Sequence, residues 1–184
     1  MSSGGKAVQP IRDKLDIEAM KNQLKKNGSR DYMLFYVGIN TGLRIGDILK
    51  LKVSDVKDKT HIVIAEEKTL KEKRAYINEQ FRSEIDGYIM GLSKEDYLFP
   101  SRKGHKAISR IQAYRILSGA AAAVGLEEIG THTMRKTFGY WHYQQFKDIA
   151  ILQDMFNHSS ASVTLRYIGI NQDMKDATLK NFNL

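Results

Sequence analysis

Seven side chains in this sequence stand out by type and spacing. Arg44 and Asp47 lie three apart in TGLRIGDILKLKVSDV (41–56) and would share one face of a helix. His132 and Arg135 repeat that spacing in THTMRKTFGYWHYQQ (131–145), and a histidine and an arginine so placed can hold one anion between them. His158 follows in LQDMFNHSSASVTLRYIGI (152–170), just before a helix that Ser159 or Ser160 could cap, and Tyr167 comes nine residues later. Lys68 stands where the strand-like run HIVIA (61–65) enters a charged hairpin tip. Taken singly, each has a plain explanation. An Arg–Asp pair is commonly a surface ion pair, Thr131 could cap a helix of solvated residues, a lone tyrosine on a helix usually packs in a core, and a lysine in a tip is usually solvated.

The elements that must position these residues can be read from periodicity and punctuation. Asp16 to Lys26 has the pattern of an amphipathic helix with Gly28 after its end. Residues 30–42 are almost wholly apolar, which predicts a helix buried on most sides. Ile45, Ile48, Leu49 and Leu51 continue at helical spacing from Arg44. HIVIA (61–65) and RAYI (74–77) read as two antiparallel strands joined by the charged link EEKTLKEK. Helices follow over 80–92 and from Ser109 to Val124, where small residues at 119–123 suit close packing, and three or four more fill 131–183. The expected class is α+β, mainly α, with a small antiparallel sheet.

Composition narrows the function classes. Residue content is globular, no apolar run approaches a membrane span, and the polar N-terminus MSSGG has no signal-peptide pattern. The absence of cysteine excludes disulfides, thiolate zinc sites and cysteine nucleophiles, and suits a cytoplasmic setting. Twenty-nine basic against 21 acidic residues give a net charge of +8, which favours polyanionic partners such as nucleic acid. The acids do not cluster as a two-metal site requires. The domain reading is a flexible tail over 1–11, a catalytic domain over 12–170 and a C-terminal tail over 171–184.

Read together and in order, the phrases TGLRIGDILKLKVSDV, EEKTLKEKRAYI, THTMRKTFGYWH and FNHSSASVTLRY resemble the tyrosine recombinase (phage integrase) family. The resemblance covers nearly the whole chain from about residue 12. It implies the recombinase catalytic fold and strand exchange on double-stranded DNA through a 3′-phosphotyrosine intermediate. Position by position, it makes Tyr167 the nucleophile and Arg44 and Arg135 the phosphate-gripping arginines. His132 and His158 become their histidine partners, Asp47 a supporting acid, and Lys68 the hairpin lysine, with Lys71 and Lys73 as other candidates. It implies no metal or ATP cofactor, a homotetramer on synapsed DNA from a chain that is monomeric when free, and residence in the cytoplasm with the nucleoid.

The chemistry of phosphodiester exchange fits these residue types. Two guanidiniums offer paired planar donors to oxygens that gain charge as phosphorus becomes five-coordinate. A phenol near pKa 10 needs a base, for which His132 is suited, and the arginines are expected to lower its pKa. The 5′-oxygen needs an acid, for which Lys68 is suited. Two departures from the family pattern stand out. Asn157 precedes the late histidine where glycine is usual, in a turn that asparagine tolerates, and Gly46 lies in the Arg44 segment. The chain also has no room for the N-terminal helical domain of most members. Rival expectations are a catalytically silent DNA-binding regulator of the same fold and a type IB topoisomerase-like relaxing enzyme.

Overall fold

The computed structural model describes residues 8–65, 72–180 and 182. Helix α1 (Lys14–Asn27) starts two residues before the expected Asp16, because the Asp13 side chain accepts from the Leu15 N–H at 2.8 Å and caps it. Helix α2 (Ser29–Thr41) is buried along most of its length, including Met33, Leu34, Phe35 and Val37, as its apolar composition predicts. Helix α3 (Ile45–Ile48) is a single turn, shorter than the sequence suggested. Its brevity has a visible cause: Leu51 is already bonded through its carbonyl to the Leu98 N–H at 2.7 Å, and Lys52 bridges to Tyr97, so the chain must leave the helix.

Strands β1 (His61–Ala65) and β2 (Glu72–Tyr76) form a two-stranded antiparallel sheet, in register from His61 opposite Tyr76 to Ala65 opposite Glu72. β2 therefore begins two residues before the expected RAYI run. Strand alternation turns Ile62 and Ala75 to the core and leaves Val63 and Tyr76 exposed. Helix α4 (Glu79–Ile89) is capped by Asn78, and helix α5 (Arg110–Ala123) by Ser109. Ala113, Ala120 and Ala121 of α5 are packed, whereas Gly119 faces open space, so only part of the small-residue stretch serves packing.

Helix α6 (Thr131–Phe146) packs along α2 and is followed by α7 (Ile149–Phe156), α8 (Ala161–Tyr167) and α9 (Ile170–Lys180). The main core gathers Phe35, Phe81, Phe99 and Ile85. A second, smaller cluster of Leu152, Phe156, Ile168 and Ile170 joins α7 and α8 to the outer face of α6 through Phe138 and Tyr140. Residues 8–11, expected within a flexible tail, are instead laid against α6. The Ile11 N–H donates to Thr137 Oγ1 at 2.9 Å, Trp141 Nε1 donates to the Ile11 carbonyl at 2.9 Å, and Ile11 is buried. Among the described residues, no helix is long and apolar enough to cross a membrane.

Candidate active site

Arg135 is the most tightly held of the expected site residues. It is 4% exposed, and its two terminal nitrogens donate to the Gly42 carbonyl at 2.5 Å and the Phe156 carbonyl at 3.0 Å. Its guanidinium also lies 4.2 Å from the Phe156 ring centroid. Those acceptors exist because both helices end nearby. Gly42 closes α2 at φ 63°, and Asn157 closes α7 at φ 53°, each turning its chain through the left-handed region. The expectation that Asn157 can carry the turn usually made by glycine thus holds.

His158 and Tyr167 sit on the smaller cluster, at the two ends of one short segment. Ser160 caps α8 by accepting from the Val163 N–H, and Tyr167 is the last residue of that helix. The His158 ring is 5.1 Å from the Tyr167 ring at a steep angle, and its Nδ1 pairs with Thr164 Oγ1 at 3.1 Å. Phe156 stands edge-on to both rings. The Tyr167 hydroxyl is hydrogen-bonded to Arg135 and feels the charges of both Arg135 and Arg44.

Arg44 is the N-cap of α3, with extended backbone at φ −72° and ψ 145°, not a residue within a helix. The expected shared helical face with Asp47 is therefore corrected: Arg44 leaves the helix axis, and Asp47 is buried at its own position in the turn. The Arg44 charge nevertheless reaches His132, His158 and Tyr167. An added Cβ at Gly46 would meet the Arg110 guanidinium, the movable end of a long side chain, so space alone does not require glycine there. His132 lies in the first turn of α6, capped by Gly130 and not by Thr131, on the more exposed rim of the site.

Lys68 and Lys71 fall outside the described residues. Lys73 of β2 is described, and its Nζ donates to the Met155 carbonyl at the end of α7. Strand parity puts Lys73 on the same side as the core-facing Ala75, so the base of the hairpin borders the site. A cleft of about 230 Å³ lies between this hairpin, Gly42 and the α7 terminus, with Arg135 in its wall.

The electrostatics are those of a site short of negative charge. His158 is pushed down to about 4 by burial first, then by Arg135, Arg44 and Lys73. His132 is lowered by desolvation, Lys136, Arg135 and Arg44. Both imidazoles are neutral at pH 7. The Tyr167 phenol is raised above its ordinary value, because burial outweighs the lowering by the two arginines. The expected net lowering by the arginines is thus corrected for the DNA-free protein. Among the described residues, no group of three or more acidic or histidine side chains is gathered as metal ligands.

The structure brings together Arg44, Arg135, His132, His158 and Tyr167 from α3, α6 and the α7–α8 segment. Three participants were missed by sequence reasoning. Thr164 orients His158, Lys136 lies over the Tyr167 ring, and Arg12 touches the chain just after Tyr167. Lys136 and Arg12 depend on contacts between distant stretches of chain, and Thr164 on a turn that brings it back to His158. His61, His105 and His142 stay apart from the site, as expected: His61 meets Tyr76 edge-on, His105 lies in a loop, and His142 packs between Phe138 and Phe146.

Comparison with known proteins gives the same grouping. The family model described as phage integrase family matches residues 13–174. A probable integrase/recombinase of Bacillus subtilis, YoeC, is 54% identical over 95% of this chain and 97% of its own length. A tyrosine recombinase of Pseudothermotoga lettingae is 30% identical over 88% of this chain, of which this chain spans 55%. A XerC of Herpetosiphon aurantiacus is likewise spanned over half its length. Among solved structures, XerA recombinase is similar with a TM-score of 0.72 at 18% identity, over 100% of this chain and 68% of that one. A lambda integrase fragment bound to a core site has a TM-score of 0.70 at 16% identity, over 91% and 62%. These last two likenesses concern the fold, a mostly helical catalytic domain with a small antiparallel sheet. With a match over most of its length and a near full-length relative above half identity, the chain belongs to the phage integrase family, the tyrosine recombinases.

Proposed function

We propose that this chain is a site-specific recombinase that binds double-stranded DNA and exchanges strands through a covalent bond between phosphorus and the Tyr167 oxygen. The observation that carries this reading is the convergence of the Tyr167 hydroxyl with two guanidinium charges, one of them hydrogen-bonded to it. A phosphate placed there would have its non-bridging oxygens met by Arg44 and Arg135, which stabilise charge as it develops. The Tyr167 oxygen attacks phosphorus while its proton passes to His132, whose neutral imidazole can accept it. The bond from phosphorus to the 5′-oxygen breaks, and that oxygen takes a proton, which we assign to Lys68 from its place in the sequence pattern. His158, held by Thr164, adds a hydrogen bond to the phosphate. Asp47 orients its neighbours. The reverse step, with a second 5′-hydroxyl, rejoins the strand without external energy.

Residues 12–170 form the catalytic unit in this reading, and the reaction takes place on DNA in the cytoplasm. Exchange between two duplexes calls for four protomers, which we propose assemble on synapsed DNA. Helix α9 carries exposed Met174 and Leu179, which suits the 171–184 segment to docking on a neighbouring protomer. The test is covalent capture. From a randomised pool of nicked duplexes, the wild type should form a denaturation-resistant DNA adduct, and Tyr167→Phe should bind the same duplexes and form none. An adduct with Tyr167→Phe, or none with the wild type on any duplex it binds, defeats the proposal.

A further inference from the structure

Two cations outside the phosphate-gripping set touch Tyr167 or its chain, and both are tied to the N-terminal segment. Lys136 follows Arg135 on α6. Its Nζ lies over the Tyr167 ring, 5.2 Å from the centroid, and donates to the Val8 carbonyl at 2.7 Å. The other contacts of the ring are edge-on, Phe156 at 79° and His158 at 70°. Lys136 is thus the cation that covers the ring, and Val8 holds it there.

The second cation is Arg12. Its Nη2 donates to the Gly169 carbonyl at 3.3 Å, and its Nε pairs with Asp173 at 3.0 Å. Gly169 has φ 81°, and an added Cβ there would overlap the Arg12 guanidinium, so the chain two residues past the tyrosine turns against Arg12. The segment is itself anchored: the Gln9 N–H donates to the Glu128 carbonyl at 3.0 Å, and Ile11 is bonded to α6 through Thr137.

We propose that residues 8–12 position the reactive tyrosine, acting through Lys136 on its ring and through Arg12 on its backbone. This rests on Tyr167 being the nucleophile. A lysine over the ring restricts its tilt, and a fixed carbonyl at Gly169 fixes where α8 ends. Both limit the arc through which the phenol oxygen can swing. In-line attack on phosphorus depends on that arc, because misplacement of a reacting atom by about 1 Å can cost about a hundredfold in rate. Lys136 and Arg12 are positioning residues in this scheme, since neither is hydrogen-bonded to the phenol oxygen in the structure.

The test has a DNA-free arm and a cleavage arm, both on the full chain. With ¹³Cζ-labelled tyrosine, the Tyr167 resonance is assigned by its loss in Tyr167→Phe. Lys136→Met should move that resonance and leave those of Tyr32 and Tyr88, which donate to Glu84 and the Leu98 carbonyl, in place. Intact Tyr32 and Tyr88 signals also certify the fold. An unmoved Tyr167 signal overturns the proposal. On nicked duplexes captured by the wild type, Lys136→Met should form adduct about tenfold more slowly at saturating DNA, with affinity within about twofold of wild type. Lys136→Arg should recover part of the rate. A rate loss that disappears at saturating DNA would make Lys136 a simple phosphate contact and overturn the proposal. Deleting residues 1–8 should give the same slowing as Lys136→Met, and the two changes combined should be no slower than either, because they cut one chain of contacts. Fully additive losses overturn the shared route. If the wild type itself forms no adduct, the assignment of the nucleophile fails, and the resonance arm still decides whether Lys136 and Val8 hold the ring.

Discussion

His158 is the residue whose surroundings oppose protonation most clearly. It is partly buried, faces Arg135 and Arg44, and has Lys73 behind the α7 terminus, which together bring it to about 4 from an ordinary value of 6.5. In the unfolded chain the ring protonates first, so as pH falls from 6.5 the unfolded state takes up more protons than the fold. The stability contribution is therefore complete above 6.5 and is lost progressively down to about 4. His132 and His142, also lowered, act in the same direction. Urea unfolding at pH 7 and pH 4.5 should show wild type losing roughly 1–3 kcal/mol more than His158→Asn across that interval. Equal losses in the two proteins would mean that burial and the neighbouring cations do not hold the ring below its ordinary value. A bound phosphate would reverse the balance, because an anion among these cations favours the charged imidazole. The free protein is thus built for a ligand with the sign it lacks.

At the scale of elements, the site depends on where helices stop. Gly42 illustrates this: its left-handed backbone ends α2, its carbonyl receives Arg135, and the space a Cβ would need is filled by the Phe138 ring. Gly42→Ala should cost about 2–4 kcal/mol in urea unfolding, combining a left-handed penalty with overpacking, and should also slow adduct formation by moving the Arg135 acceptor. Gly119→Ala is the contrasting case. That glycine lies inside α5 with open space around it, and the change should stabilise by up to about 1 kcal/mol. If both variants melt with the wild type, the end of α2 carries no such strain. The same contrast explains what the sequence disclosed. His132 and Arg135 were legible because helical spacing is local, and Asn157 because it stands where the family pattern has a turn glycine and asparagine tolerates a left-handed backbone. The helix expected from Arg44 to Leu51 shrinks to one turn, since the bonding of Leu51 to Leu98 that stops it joins positions far apart in the chain, and Arg44 itself lies before its start. Lys136 and Arg12 lie beyond local reasoning for the same cause: Lys136 meets Val8 across 128 residues and Arg12 meets Gly169 across 157, whereas Thr164 meets His158 across only six and went unread because the turn between them has no regular period.

For the molecule as a whole, the excess of positive charge is distributed unevenly between structural and unclaimed roles. Some of it is neutralised locally, as in Arg30 with Asp31, Arg82 with Asp86, and Arg12 with Asp173. Some is engaged with backbone carbonyls, as in Arg135 with Gly42 and Phe156, where two of the guanidinium's five N–H donors are used and its charge remains. The net +8 left over is a field that local pairs do not cancel. If DNA is the ligand, most of its binding energy should come from releasing counterions from phosphates, and affinity should then fall with salt on a log–log line whose slope counts the phosphates neutralised. Electrophoretic or anisotropy titrations should give at least about a hundredfold loss of affinity between roughly 50 and 200 mM salt. Arg135→Ala should make that slope shallower by about one contact at most, because a single phosphate sits at the site while the rest of the field meets the flanking backbone. Tyr167→Phe should leave the slope unchanged, since the phenol carries no charge in the ground state. A slope that collapses with Arg135→Ala alone would mean that the protein holds one phosphate and little else. Binding along a duplex would then need a source outside this chain's own charge.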